Sequence, residues 1–411
     1  MRYIYSFIVF ISWQILKLVA LVNPKISQFV SGRKEVFDVL KNRTSETDKV
    51  LWIHAASLGE YEQGLPILER LKLEYPTHKI LLTFFSPSGY EVKKDSSPAD
   101  ITTYLPIDTP KKAAMFLDTV KPSLAIFIKY EIWPNYLHML NKRKIPALLI
   151  SARFKPDKIF FKSYGGFMRS SLSQFSHIFV QDDNSYMLLK NIGIEKVSVA
   201  GDTRLDRVLE ILEQDNSLGF MDQFQQRKNC LVAGSTWPED EKLLVEFINN
   251  TKGDEKFVIA PHNINGEHIQ NLKKSISKKT LLYTDLPKQI SADIQVIIID
   301  TIGLLTKIYS YANIAYVGGG FATGLHNTLE PAVFGIPVII GPNYKGFLEV
   351  EDLVQLGGIL PIKNQKEFNE VINQLFNNAK ESSSIGAINS QYILNNKGAS
   401  IQIMEGIRTL L

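Results

Sequence analysis

The sequence predicts an α/β protein built from two doubly wound parallel domains facing each other across a cleft. Three observations carry this expectation. At 411 residues the chain is too long for one ordinary hydrophobic core, so two domains are the natural reading. From Lys49 onward short apolar runs alternate with helical patterns, the rhythm of a parallel sheet covered on both faces. That rhythm stops in a charged, poorly patterned stretch over 206–228, which reads as an interdomain connection, and then restarts.

The chain opens with an apolar segment, residues 3–22 (YIYSFIVFISWQILKLVALV), of about the length that crosses a bilayer. Gln14 and Lys17 interrupt it, so a helix lying in the membrane interface and a buried amphipathic helix are the competing readings. No small-residue cleavage site follows. Lys25, Arg33, Lys34, Lys41 and Arg43 lie after the segment and only Arg2 before it, a bias that keeps the body in the cytoplasm. The expected plan is a membrane anchor over 1–30, one domain over 31–207 and another over 208–411, with the last residues able to pack back on the first.

In the first domain, strands are expected at 50–54 (VLWIH), 79–85 (KILLTFF), weakly at 102–107 (TTYLPI), and at 123–129, 147–151, 177–181 and 197–201. In the second they are expected at 229–236 (NCLVAGST), 256–262 (KFVIAPH), 280–285, 295–300 (QVIIID), 314–320 (IAYVGGG) and 337–342. Helical patterns such as 61–73 and 135–142 fill the gaps. The tail over 381–397 is polar and helical at best.

Composition narrows the function. A hydrophobic content of 45% with 21% charged residues is globular, and a net charge of +4 is too small and dispersed to favour nucleic acid. The single cysteine, Cys230, excludes an intramolecular disulfide, and no Cys/His cluster has zinc spacing.

The most informative stretch is GGGFATGLHNTLEPAVFGIPVIIGP (318–342), which reads as strand, glycine-rich turn, helix over 328–334, strand. Glycines let a backbone approach a ligand, and the N–H groups of a helix start can receive a phosphate. A tight connection without ligand is the bland alternative. Asn327 and Glu330, polar in an otherwise apolar unit, favour a nucleotide site.

Other strand ends carry candidates. Glu60, in HAASLGEYEQG, falls in the first turn of a helix, where it fits both a structural cap and a general base. Glu131 (IKYEIWPN) precedes Pro134 at a second strand end. Arg153 (SARF) and Arg204 (GDTRLD) could hold phosphate or a sugar carboxylate, or serve as salt-bridge partners. In the second domain Ser235 and Thr236 can cap a helix or bind phosphate, His262 is structural or catalytic, and Asp300 to Gly303 forms another glycine turn. A Walker lysine motif, a GxGxxG after the first strand and an acidic DxD pair are all missing from the sequence. Kinase, dehydrogenase and metal-dependent transferase chemistries are therefore disfavoured, which leaves a metal-free transfer without cofactor.

ASLGE, EIWPN, SAR, GDTRLD, AGST, IID-T-G and GLHNTLEPA, in this order and spacing, resemble the 3-deoxy-D-manno-octulosonic acid (Kdo) transferases of lipopolysaccharide synthesis. The resemblance spans nearly the whole chain after residue 30. It implies a GT-B fold, with acceptor bound by the first domain and donor by the second. It further implies CMP-Kdo as donor, the lipid A precursor as acceptor, and an N-terminal anchor on the cytoplasmic face of the inner membrane. By the same resemblance Glu60 is the proton acceptor, and Glu131 and Arg204 stabilise the transition state. The CMP-binding positions are Pro261, His262, Ile302, Gly303, Leu304, Asn327, Thr328, Leu329 and Glu330. Three positions depart from the family pattern: His262-Asn263 stands for Arg-His, Arg204 for the commoner Lys, and Leu304 for Glu. A second enzyme reading is a GT-B transferase using a UDP-sugar, in lipid A disaccharide or peptidoglycan-precursor synthesis. A membrane-tethered nucleotide-binding scaffold is the non-enzymatic reading.

Overall fold

The computed structural model describes residues 1–322 and 324–411; Thr323 of the glycine-rich stretch lies outside the described residues. The chain divides into two compact units, Met1–Asp206 with Lys397–Leu411, and Arg207–Asn396.

The first unit is built on a seven-stranded sheet in the order β3-β2-β1-β4-β5-β6-β7. The strands are β1 (Lys49–Ala55), β2 (His78–Phe84), β3 (Ile101–Tyr104), β4 (Pro122–Ile128), β5 (Ala147–Ala152), β6 (His177–Val180) and β7 (Val197–Val199). Every pairing is parallel. Both faces are covered, so central strands read as nearly continuous apolar runs: in β1 only Lys49 is exposed. The period of two then sorts its side chains. Leu51 and Ile53 join Leu65, Leu68 and Leu71 of the helix Leu58–Glu74, whereas Val50 and Trp52 join Phe116, Phe127 and Tyr136 on the other face. The strand expected over 102–107 ends at Tyr104, before Pro106, which has no N–H for a ladder.

The apolar N-terminal segment forms the helix Arg2–Val19, of mean hydropathy 1.3 and with none of it buried, long and apolar enough by composition to cross a membrane. It ends before Asn23-Pro24, which start a second helix, Pro24–Ser31, with Asn23 accepting from the Ile26 N–H at 3.2 Å. Tyr5 donates to Asp108 Oδ2 at 2.8 Å, Ser6 to Asn135 Oδ1 at 3.2 Å, and Trp13 lies against Phe29. Arg33, counted above among the flanking cations, is 5% exposed and donates to the carbonyls of Leu105, Phe29 and Phe85. Its charge therefore orders the fold instead of facing a lipid surface.

The last helix, Ala399–Arg408, belongs to this unit, packing Ile403, Met404 and Ile407 with Leu51 and Ile53. Asp206 caps its start by accepting the Gly398 and Ser400 N–H groups, each at 2.6 Å.

The second unit has a seven-stranded sheet in the order β10-β11-β9-β8-β12-β13-β14. Its strands are β8 (Cys230–Thr236), β9 (Lys256–Pro261), β10 (Thr280–Leu282), β11 (Val296–Ile298), β12 (Ile314–Val317), β13 (Val338–Ile340) and β14 (Ile359–Pro361), again all parallel. β14 has no counterpart among the expected strands. The stretch 206–228 corrects the sequence reading: it is mostly helical, in Thr203–Glu213 and Gly219–Gln225. Leu205 with Val208, and Met221 with Phe224, supply short buried stripes that the surrounding charges hide from a pattern search. The tail is likewise firmly helical, as Ala379–Asn395.

Candidate active site

In a doubly wound sheet the chain leaves one central strand to build outward in both directions, and ligands bind at the carboxyl ends beside that switch point. In the first unit the switch lies between β1 and β4, which pair directly while β2 and β3 extend the other way. Glu60 follows β1 and Glu131 follows β4, so topology brings the two carboxylates to the same point.

Glu60 is at the third position of the helix Leu58–Glu74, and its Oε2 accepts the Ala56 N–H at 2.6 Å. It is thus a helix cap, as one sequence reading held, and that bond fixes one oxygen and the rotamer. Burial pushes its carboxyl up to about 7, the negative charge of Glu131 adds to the rise, and the Ala56 bond and Lys129 oppose it. A carboxylate titrating there is poised to take a proton near neutral pH.

Glu131 is held from two sides. Its Oε2 accepts from Trp133 Nε1 at 2.8 Å and lies 3.1 Å from His54 Nε2. His54 is fully buried in β1, its other ring nitrogen lying against Thr83 of β2. Lys129, between β4 and Glu131, adopts φ 60, and Ser151 at the end of β5 adopts φ 52. Left-handed backbone costs a non-glycine residue about 1–2 kcal/mol, and here it marks two strand ends at the same edge of the sheet.

Thr203, of the GDTRLD motif, ties three motifs together: its hydroxyl donates to the Gln63 carbonyl at 2.5 Å and lies 3.0 Å from the Ser151 hydroxyl of the SAR motif. Arg204 forms a two-pronged pair with Asp202, Nη2 to Oδ2 at 2.6 Å and Nε to the same oxygen at 3.0 Å. Arg153 pairs with Asp182 at 3.3 Å. Both arginines therefore have carboxylate partners.

In the second unit the switch lies between β8 and β12, and the glycine-rich loop leaves β12 there. Gly318 cannot carry a side chain, because a Cβ would stand 2.4 Å from the Ser235 carbonyl oxygen and 2.8 Å from Asp240 Oδ2. Asp240, fully buried, fastens the loop to the neighbouring helix Pro238–Asn250. It accepts from Tyr316 Oη at 2.6 Å, from the Trp237 N–H at 2.9 Å and from the Gly319 N–H at 2.9 Å. Burial raises its carboxyl while these three donors pull it down.

Above this anchor Trp237 stacks on His262 with centroids 4.7 Å apart, and His262 lies 4.6 Å from His326. Trp237 Nε1 donates to His326 Nε2 at 3.1 Å. Asn327 accepts from the Leu329 N–H at 3.1 Å and donates to Glu330 Oε1 at 3.0 Å, and Thr306 donates to Glu330 Oε2 at 2.8 Å. Pro261 is buried at the end of β9, and Leu329 and Thr328 are buried, the Thr328 hydroxyl without a hydrogen-bond partner. Ile302 is 86% exposed beside Gly303, which has φ 92, and Leu304 precedes the helix Leu305–Ile308. Ser235 has φ 53, while Thr236 is 1% exposed and donates to Glu241 at 3.1 Å, so its hydroxyl is engaged internally. The helix expected over 328–334 is shorter, Leu329–Ala332. One turn supplies N–H groups but not the dipole of a full helix.

Sequence reasoning passed over His54, Lys129, Trp133, Trp237, Asp240 and His326. His54 left a usable signal, because a polar residue inside a strand buried on both faces must have a partner.

Residues 31–207 match the family model described as 3-deoxy-D-manno-octulosonic-acid transferase (kdotransferase). The 3-deoxy-D-manno-octulosonic acid transferase of Aquifex aeolicus is 30% identical over 344 residues, covering 80% of this chain and 87% of its own. This chain belongs to the Kdo transferase family. The Haemophilus influenzae Kdo transferase is 28% identical over 97% of this chain and 95% of its own. Among solved structures, a UDP-GlcNAc 2-epimerase from Neisseria meningitidis has a TM-score of 0.60 at 18% identity, covering 88% of this chain and all of the other (100%). Acinetobacter baumannii MurG has a TM-score of 0.56 at 11% identity, over 88% and 99%. These likenesses show the fold, which is GT-B. The protein is a glycosyltransferase, and its activity is Kdo transfer.

Proposed function

We propose that this Kdo transferase moves Kdo from CMP-Kdo to the lipid A precursor (lipid IVA) in one inverting, metal-independent displacement. Glu60 takes the proton of a primary glucosamine hydroxyl while the hydroxyl oxygen bonds to the anomeric carbon of Kdo. The bond from that carbon to the phosphate oxygen breaks, and CMP leaves with the electron pair. The observation that carries this reading is Glu60 itself: a desolvated carboxylate, oriented by the Ala56 N–H, beside a second carboxylate at the switch point of its sheet. Glu131 faces the positive charge that develops on the sugar. Arg204 enters with Asp202 already engaging its charge, so its pull on a departing phosphate is weaker than that of a lone guanidinium.

The donor end of the scheme belongs to the second unit. The glycine loop with Asn327, Thr328, Leu329 and Glu330 offers backbone N–H groups and a carboxylate for phosphate and ribose. Exposed Ile302 with Gly303 and Leu304, after β11, offers a flat apolar contact for a base, and Pro261-His262 stands at the end of the adjacent strand, β9. Ser235 is the accessible hydroxyl of its pair. CMP is expected to bind, and to displace labelled donor, at concentrations at least about tenfold below those needed for UDP, with EDTA present throughout. A preference for UDP would favour the UDP-sugar reading instead.

Membrane attachment follows from the N-terminal helix. Tyr5, Ser6 and Trp13 hold one side of it to the body, while Ile4, Phe7, Ile11, Ile15 and Leu18 are exposed on a single face. A helix fixed along one side lies in the interface of the inner membrane's cytoplasmic face and does not cross it. Alkaline carbonate should release the protein from membranes; retention in the pellet would mean a spanning helix.

A further inference from the structure

The helix Arg2–Val19 does not lie flush against the body of its unit. Between them is a cavity of about 180 Å³, walled by Val9, Trp13 and Leu16 of the helix and by Phe29, Phe85 and Trp133 of the body. All six are half-buried, neither absorbed into the core nor left in solvent. An apolar hollow of about 150 Å³ stays dry and admits benzene, so this one has room for several carbons of an alkyl chain.

The aromatic walls form a row. Between ring centroids, Trp13 lies 6.3 Å from Phe29, Phe29 5.1 Å from Phe85, and Phe85 4.9 Å from Trp133. The row ends at the reaction site, because Trp133 Nε1 donates to Glu131 Oε2. The mouth is marked by Ile8 and Ser12, which line the cavity and are exposed. At 3.6 residues per turn they fall between the helix face carrying Ile4, Phe7 and Ile11 and the side held by Tyr5 and Trp13. The cavity therefore opens beside the face assigned to the membrane. Asp108, the carboxylate in its wall, is occupied by three donors: Tyr5 Oη at 2.8 Å and the Asn135 and Tyr136 N–H groups, each at 3.1 Å.

Positive charge gathers at the Trp13 end. Lys112 Nζ stands 5.2 Å and Lys17 Nζ 5.8 Å from the centre of the Trp13 ring. Burial pushes the Lys112 amine down, and the charges of Lys17 and Arg33 push it further. Lys17 reaches the Gln14 side-chain oxygen at 3.4 Å. Among the described residues neither lysine has a carboxylate partner, so both charges are open to the phosphate of a lipid.

We propose that this cavity is an acyl-chain site for the acceptor. One chain of a phosphorylated glycolipid enters from the membrane past Ile8 and Ser12 and lies along the aromatic row, bringing the sugar hydroxyl to the carboxylates. The N-terminal helix is then a wall of the substrate site as well as an attachment. The proposal rests on the reading of a lipid acceptor. Continuity with Glu131 selects this occupant, since a bulk membrane lipid gains nothing from a row of rings that ends at the reaction site.

Ser12→Trp places a ring in the mouth without removing any wall. It should raise KM for a tetraacylated lipid A precursor by about tenfold or more with kcat unchanged. Phe10→Trp, at an exposed position that does not line the cavity, should keep the original KM. Equal KM values in the two variants overturn the proposal. The unsubstituted protein supplies a second test, in vesicles of phosphatidylethanolamine and phosphatidylglycerol, using the precursor with a photoactivated diazirine at one chain end. Mass spectrometry should find adducts at Phe29, Phe85 or Trp133. Adducts confined to Ile4, Phe7 and Ile11 would leave the chains in the bilayer and overturn it. So would equal labelling of the cavity by a diazirine phosphatidylglycerol that the precursor does not displace. Kdo transfer to the same probe is read by mass in parallel. A probe that gains Kdo but labels only the outer face sinks the cavity and spares the acceptor reading; one that gains no Kdo removes the acceptor reading and the proposal with it.

Discussion

Glu60→Gln is expected to lower kcat for Kdo transfer by about 10²–10⁴-fold, the usual contribution of a positioned general base, with CMP affinity unchanged. Glutamine preserves the acceptor oxygen for the Ala56 N–H, so the start of the helix Leu58–Glu74 stays capped. What is lost is the capacity to take a proton. The same assignment fixes the pH dependence of the unsubstituted enzyme. The base works only when ionised, so kcat/KM should fall tenfold per pH unit on the acid side of a midpoint at about 7, the position to which burial lifts this carboxyl. Stopped-time assays across pH 5 to 9 read both effects. Turnover of Glu60→Gln close to that of the unsubstituted enzyme, with no acid limb, would remove Glu60 from the reaction.

Asp240→Ala is expected to produce the largest loss in the second unit. It leaves the Tyr316 hydroxyl and the Trp237 and Gly319 N–H groups without their acceptor. Each buried donor left without a partner costs about 1–3 kcal/mol, so the unit should melt well below its normal temperature. Because Gly319 belongs to the glycine loop, CMP affinity should fall by at least about tenfold in whatever fraction remains folded. Differential scanning calorimetry with and without CMP separates the two effects. An unchanged melting temperature would mean that the loop is held by something other than Asp240.

Much of this molecule is legible in its sequence, and the exceptions have physical causes. Strands such as β1 and β4 announce themselves because burial on both faces demands continuous apolar runs. Residues 359–361 form an equally real strand at the sheet edge, but three residues after Gly357-Gly358 are too few to establish a pattern. The helices over 203–225 escape notice because two pairs of buried residues carry their packing amid charge.

The candidate site divides in the same way. Glu60 and Glu131 stand out because carboxylates at strand ends exceed what packing needs, and the β1–β4 switch point brings them together. The residues that tune and hold them are silent in a linear reading. His54 looks like the end of an apolar strand until Thr83 and Glu131 are seen on its two nitrogens. Asp240 looks like one of three acidic residues at a helix start until Gly319 is found bound to it. Such partners are far apart in sequence, and only topology supplies the contact. Arg153 and Arg204 read equally as anion sites or as salt-bridge partners, and in the fold each holds a carboxylate.

The most direct measurement is mass spectrometry of the lipid formed when the full-length protein is incubated with CMP-Kdo, generated in situ and then freed of metal with EDTA, and a tetraacylated lipid A precursor. The expected result is a lipid heavier by one or more Kdo residues, formed in step with released CMP and undetectable with Glu60→Gln over the same interval. No heavier lipid from intact donor, by a protein that still binds CMP, would contradict the proposed acceptor and the role of Glu60 as its base.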